Sequence, residues 1–198
     1  GDTDIILTGG GSTANIVLAG LGSDRVNAPA RPATPPTPTD PVDVPSTGDD
    51  IVIGDNGIVT WDAAGVMTRF ASTQTAQGGD DVIDVGDGNN IVLGGFGADA
   101  VTAGANDDLV IGDSGEVLWS AANVLDLVQT IAIGDGGNDD LRVGDGRNIV
   151  AGGFGQDVIV AGIHEDLILG DNGAFDYTTT LGVTKLTQAN TTDDTAIN

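Results

Sequence analysis

A chain of 198 residues carrying a net charge of −24 is long enough to bury a core, and its charge argues against nucleic acid and anionic membranes as partners. Thirty-two glycines against only 4% aromatic residues leave few bulky side chains to fill a wide globular core. There is no cysteine for a disulfide, a thiolate nucleophile or a zinc site, and no apolar run of the 18 residues that would suggest membrane insertion.

The acidic residues point to turns. All 30 are aspartate except Glu116 and Glu165, and aspartate stabilises tight turns where glutamate mostly decorates helices. The chain opens in mid-pattern at "GDTDIILTGG", as expected of a segment of something longer, and "ANIVLAGLGSDRVN" follows as a degenerate copy of what comes later. All seven prolines lie between Pro29 and Pro45 and have no counterpart further on, so residues 28–47 are expected to form an inserted, extended loop.

From Ile51 onward the chain repeats itself. "IVIGDNG" at Ile51, "LVIGDSG" at Leu109 and "LILGDNG" at Leu167 recur every 58 residues, and the segment from Gly78 to Gly104 returns at the same spacing from Gly136. The whole of 1–198 therefore reads as a single repeat array of about three 58-residue units. After each of these motifs the pattern breaks for an excursion, at 57–78, 115–134 and 173–192. "IVTWDAAGVMTRF", "EVLWSAANVLDLV" and "AFDYTTTLGVTKL" within them read as β-hairpins with small polar tips.

Between excursions runs a period of nine. Asp81, Asn90, Asp99 and Asp108 are nine apart, as are Asp139, Asn148, Asp157 and Asp166, and an apolar residue follows each by two places, from Ile83 to Ile168. Glycine pairs and β-branched residues exclude a helix at this period. A six-residue turn followed by a three-residue strand fits, with two such units closing an 18-residue coil. The expected fold is all-β, a parallel β-solenoid or β-roll from which β-hairpins protrude. Residues flanking each inward position point outward. One face is mixed (Val82/Asp84, Asp140/Arg142), whereas the other is wholly apolar (Ile16/Leu18, Ile51/Ile53, Ile91/Leu93, Leu109/Ile111, Ile149/Ala151, Leu167/Leu169). So long a bare stripe exceeds what soluble monomers expose, which predicts that the hairpins fold back over it with Trp61, Trp119 and Tyr177 as anchors.

"GGFGADAVT" (94–102) and "GGFGQDVIV" (152–160) resemble the G-G-x-G-x-D-x-U-x nonapeptide of the haemolysin-type calcium-binding repeats, the RTX family. The resemblance implies a right-handed parallel β-roll with several Ca²⁺ ions in its rows of turns, and export from the cell through a type I system. Calcium takes six to eight oxygens, and glycine-rich turns expose carbonyls to which a sixth-position carboxylate adds another donor. The expected ligands are Asp81 with Asp99 and Asp139 with Asp157 on one edge, and Asn90 with Asp108 and Asn148 with Asp166 on the other. The asparagine-containing sites should be weaker, and Asp24 and Asp50 hold the sixth position in the first unit. Asp87, Asp145, Asp55, Asp113, Asp135 and Asp171 are second-tier candidates.

No catalytic constellation stands out. His164, the single histidine, occupies the turn position that Asn106 holds one unit earlier, and the acidic residues repeat with the lattice instead of forming one unlike cluster. The expected function is a calcium-stabilised structural or adhesive module, not an enzyme, of a long secreted or cell-surface protein. Its partners would be calcium and neighbouring copies of itself, or matrix and cell-surface molecules. The alternative is the calcium-binding secretion and folding domain of a secreted toxin or hydrolase.

Overall fold

The computed structural model describes residues 3–6, 8, 14–27, 46–180 and 183–192. Of the proline-rich loop expected at 28–47, all but Ser46 and Thr47 lie outside the described residues. The chain is all-β, with no helix among the described residues. A first stretch supplies β1 (Ile5–Ile6), β2 (Ile16–Leu18), β3 (Arg25–Val26) and β4 (Ile51–Ile53), followed by a hairpin of β5 (Gly57–Trp61) and β6 (Met67–Ser72). The second gives β7 (Val82–Gly86), β8 (Ile91–Gly95), β9 (Ala100–Ala103) and β10 (Leu109–Asp113), then the hairpin of β11 (Gly115–Trp119) and β12 (Leu125–Thr130). The third gives β13 (Asp140–Val143), β14 (Ile149–Ala151), β15 (Val158–Val160) and β16 (Leu167–Leu169), then β17 (Gly173–Thr180) and β18 (Val183–Thr191).

These strands form three six-stranded sheets. Successive strands of each stretch alternate between two parallel sheets, ordered β1-β3-β7-β9-β13-β15 and β2-β4-β8-β10-β14-β16, while the hairpins pair side by side as an antiparallel sheet, β5-β6-β11-β12-β17-β18. The short strands each bury an apolar residue, mostly valine or isoleucine, and the turn between strands uses glycine where a side chain has no room. At Gly97, φ is +131°, and a Cβ there would strike the Gly79 carbonyl one rung away.

The core has two layers of apolar contact. Between the parallel sheets lie Val26, Ile83, Val101 and Leu141 from one and Val52, Val92, Val110 and Val150 from the other, all buried. The apolar face of the second sheet packs against the hairpins. Ile53, Leu93, Leu109, Ile111 and Ala151 meet Phe70, Val117, Val128 and Phe175. The hairpins thus lie down over the stripe instead of protruding, except at its first strand, where Ile16 and Leu18 are exposed, contrary to expectation, because β2 ends its sheet. The mixed face of the first sheet remains open, with Arg142 paired to Asp140 at 2.9 Å on it.

Two further expectations need correction. Trp61 is 51% exposed and is no anchor, because β5 is the outermost strand of its sheet and has no neighbour beyond it; Trp119 and Tyr177 are half-buried, and the fully covered rings are Phe70 and Phe175. Ile168 is 45% exposed although its register makes it an inward residue, because β16 ends its sheet.

Removing the Phe70 ring leaves a cavity between sheets, so Phe70→Ala should cost about 3–5 kcal/mol of unfolding free energy. Trp61→Ala should stay within about 0.5 kcal/mol. Urea unfolding of both variants checks the ranking, and equal losses would mean the hairpin sheet is not anchored through Phe70.

Candidate functional site: two ladders of buried aspartate and asparagine

Each sixth-position residue stands immediately before a strand, where its side chain can reach the backbone of the neighbouring rung. On one edge the backbone N–H of Asp4 donates to Asp24 Oδ1 (2.7 Å), Asp24 to Asp81 (2.6 Å), Asp81 to Asp99 (2.8 Å), Asp99 to Asp139 (2.8 Å) and Asp139 to Asp157 (3.0 Å). On the other edge Asn15 donates to Asp50 (2.8 Å), Asp50 to Asn90 (2.9 Å), Asn90 to Asp108, Asp108 to Asn148 and Asn148 to Asp166 (each 3.0 Å). The expected pairs 18 residues apart are adjacent. So are Asp99 with Asp139 and Asp108 with Asn148, 40 apart, so both ladders pass the hairpin excursion unbroken.

The second side-chain atom separates aspartate from asparagine. Asn90 Nδ2 donates to the carbonyls of Gly86 (3.2 Å) and Gly88 (3.1 Å) and to Asp108 Oδ1 (3.0 Å). Asn148 Nδ2 does the same toward Gly144 (3.1 Å), Gly146 (3.4 Å) and Asp166 Oδ1 (3.0 Å). An asparagine rung therefore satisfies its own turn. An aspartate using Oδ1 in the same way has a second oxygen where asparagine has its NH₂. Buried Oδ2 of Asp24, Asp81, Asp99, Asp139 and Asp157 on one edge, and of Asp50 and Asp108 on the other, accepts no hydrogen bond. Those of Asp81, Asp99, Asp139 and Asp157 lie against the backbone of Gly54, Gly94, Gly112 and Gly152. A Cβ on Gly94 would collide with the Asp99 carboxylate and the Gly112 carbonyl, one on Gly112 with Asp139 and the Gly152 carbonyl, and one on Gly152 with Asp157 and the Gly170 carbonyl.

Burial is the main force on Asp81, Asp99, Asp108, Asp139 and Asp157. It pushes Asp81 up to about 8 and Asp139 and Asp108 to about 7, against an ordinary 3.8, and it raises Asp99 well above that value and Asp157 less. Neighbouring carboxylates add to the shift, Asp139 and Asp81 acting on Asp99. Backbone amides oppose it without cancelling it.

The second-tier residues divide. Asp55 and Asp113 are buried and latch the loops of the following stretch. Asp55 Oδ2 accepts the Phe96 N–H (2.6 Å), while Asp113 accepts the N–H of Gly137 (2.9 Å) at Oδ1 and that of Phe154 at Oδ2. Burial still pushes them up to about 7 and about 8. Asp87 and Asp145 are exposed and accept the N–H of Ala105 (2.8 Å) and Ile163 (3.0 Å). Asp135 is half-buried and Asp171 exposed, and neither joins a rung. His164 is exposed in a left-handed turn at φ 114°, as Asn106 is at 95°.

Sequence reasoning missed an outer row at the fifth position. Asp49 accepts the Asn89 N–H (2.8 Å), Asp80 that of Ala98 (2.9 Å), Asp107 that of Arg147 (2.9 Å) and Asn138 that of Gln156 (2.8 Å). The doublets Asp49-Asp50, Asp80-Asp81, Asn89-Asn90, Asp107-Asp108 and Asn138-Asp139 were the available signal. Arg147 also pairs with Asp107 at 2.8 Å, and its amide and guanidinium hold that carboxyl below the usual range.

Among the described residues no three acidic or histidine side chains converge on one point. The donor set is instead one carboxylate oxygen per rung beside main-chain carbonyls. The chain matches no protein-family model, no curated protein and no solved structure.

Raised carboxyl values fix the sign of the pH dependence in chelator. A folded-state value above the unfolded one contributes stability that is fully present below about pH 3.8 and is lost as pH rises through about 7 to 8. The thermal midpoint without divalent cations should therefore fall steadily from pH 4 to pH 9. A midpoint that rises over this range contradicts the burial of ionisable carboxyls in the ladders.

Proposed function

We propose that this chain is a calcium-stabilised β-roll, with the strands of the two parallel sheets forming successive turns of one coil, and that it serves as a structural or adhesive module of a long secreted or cell-surface protein. The observation that carries the reading is the row of buried, unpartnered Oδ2 atoms facing glycine backbone. Leaving a buried carboxylate without a partner costs far more than the net worth of a hydrogen bond, so each rung calls for a proton or a cation. The set contains only oxygen, mixes carboxylate with carbonyl and offers no nitrogen or sulfur, which suits calcium over softer metals. The sequence's likeness to the RTX nonapeptide points the same way.

The residues that would hold the ions are Asp24, Asp81, Asp99, Asp139 and Asp157 on one edge and Asp50 and Asp108 on the other, with Asp166 following in register. Glycine carbonyls such as those of Gly112, Gly152 and Gly170 would complete the coordination. Bound calcium supplies charge neutralisation and oxygen coordination. Asn90 and Asn148 interrupt the second row with rungs that close themselves, so binding should be denser on the first edge. Extracellular modules of this kind bind calcium at about 10⁻⁴ to 10⁻³ M, a range that favours folding outside the cell. A regular lattice with its one histidine exposed in a turn supports a non-enzymatic role.

Circular dichroism with EGTA and then excess CaCl₂ at neutral pH tests the reading, with β signal expected to fall in chelator and return with calcium. An unchanged β signal in chelator would count against it. In titration calorimetry at saturating protein stability, Asp99→Ala should lose calcium sites while Asp87→Ala retains the wild-type number; the reverse order would place the ligands elsewhere.

A further inference from the structure

We propose that each hairpin junction holds a calcium site of a second, tighter kind, in which Asp55 joins Asp81, and Asp113 joins Asp139, to give one ion two carboxylates; this rests on the reading of the ladders as calcium sites. Elsewhere a rung offers an ion a single sixth-position carboxylate beside glycine carbonyls. The junctions add a further acid to that set.

The sequence marks the place. In "IVLGGFG" (91–97) a second glycine follows Gly94, whereas "IVIGDNG" (51–57) and "LVIGDSG" (109–115) carry Asp55 and Asp113 at that point. The position is glycine at Gly20, Gly95 and Gly153 and aspartate at Asp55, Asp113 and Asp171, and the aspartates are the ones that a hairpin follows. Asp113 is paired in register with Gly95 on the neighbouring strand. Glycine makes room for the acid on both sides. A Cβ on Gly78 or Gly95 would strike the Asp55 carboxylate, and one on Gly136 or Gly153 would strike that of Asp113.

In space each acid meets a ladder carboxyl. Gly112 stands directly before Asp113, and a Cβ on it would strike both Asp139 Oδ2 and the Gly152 carbonyl. Gly54, before Asp55, is placed in the same way against Asp81 Oδ2 and the Gly94 carbonyl. Every member of the first cluster thus has its counterpart 58 residues on. Asp55 is 2% exposed and Asp81, Asp113 and Asp139 are each 1% exposed. Oδ2 of Asp81, Oδ2 of Asp139 and Oδ1 of Asp55 accept no hydrogen bond. Among charged neighbours, Asp55 acts most strongly on Asp81, and Asp139 most strongly on Asp113. Two carboxylates buried side by side repel, and a divalent cation held by both turns that repulsion into coordination.

Calcium affinity rises with the number of charged ligands and with the rigidity of the site. Both favour the junctions. Asp55 is held by the Phe96 N–H (2.6 Å), and Asp113 by those of Gly137 (2.9 Å) and Phe154. The junction ions should therefore bind about tenfold or more tighter than the rest of the ladder and fill first. Asp113 precedes its hairpin and Asp139 follows it, as Asp55 and Asp81 flank the hairpin before, so each ion also ties the two ends of an excursion together.

The test is calcium titration of the full chain by calorimetry in competition with a chelator, with circular dichroism on the same samples. The wild-type chain is expected to bind two ions in a tight class ahead of a weaker class. Asp55→Asn keeps one oxygen for the Phe96 amide and should leave one tight ion. Asp55→Asn combined with Asp113→Asn should leave none, and both variants should regain β signal in millimolar calcium. A single class in the wild-type chain, or a tight class that the variants retain, overturns the paired sites and leaves the ladder reading standing. A variant that stays unfolded in millimolar calcium also overturns them, since the acid would then act as a latch for the loops. Wild-type β signal with no calcium bound overturns the ladder reading and the paired sites together.

Discussion

A side chain that stitches one rung to the next must stand on the rung edge with an acceptor aimed along the stack, and in this chain aspartate and asparagine do that at every sixth position of the period. Only one atom of the side chain is used. For asparagine the other atom is a donor, and the turn beneath offers Gly86 and Gly88, or Gly144 and Gly146, to receive it. For aspartate the other atom is a second oxygen, buried beside glycine backbone with no donor. The geometry that gives the stack its continuity thus also builds a row of charges that must be neutralised.

The rest of the architecture follows from keeping that row in register. Strands of two to five residues are too short to be stable singly, and they gain support by burying valine and isoleucine between two parallel sheets. Each 58-residue stretch then sends out a hairpin, which enters the third sheet and covers the apolar outer face of the second. The ladder is indifferent to the detour, because Asp99 still reaches Asp139 across 40 residues as Asp81 reaches Asp99 across 18. Glu116 ties adjacent hairpins together, accepting from Arg69 at 2.6 Å and Gln129 at 2.8 Å.

Much of this was readable in the chain, and for identifiable reasons. Periods of 9 and 58 are visible because every rung has the same steric demands, and alternation about Ile83, Val92, Val101 and Val110 marks the buried side of each strand. The apolar set Ile91, Leu93, Leu109 and Ile111 announced a covered face. What was not readable depends on end effects and on atoms within a residue. Trp61 repeats with Trp119 in sequence, yet only Trp119 has hairpins on both sides. Phe70 and Phe175 fall at different points of their hairpins and so formed no repeat to notice. Asp55 and Asp87 both follow a glycine in the sequence, but one is buried and accepts the Phe96 amide while the other faces water. Periodicity reports which positions are equivalent, while the division of labour between Oδ1 and Oδ2 needs coordinates.

If a proton or calcium neutralises the ladder carboxyls, infrared difference spectroscopy of the carboxyl bands will show the exchange of one for the other. At mildly acid pH in chelator the folded chain should show protonated carboxyl absorption. Adding calcium should replace it with a coordinated carboxylate band while the β amide signal holds. A chain that keeps its β signal at pH 9 in chelator, with every carboxyl ionised and no divalent cation present, would mean that the ladders need neither proton nor cation.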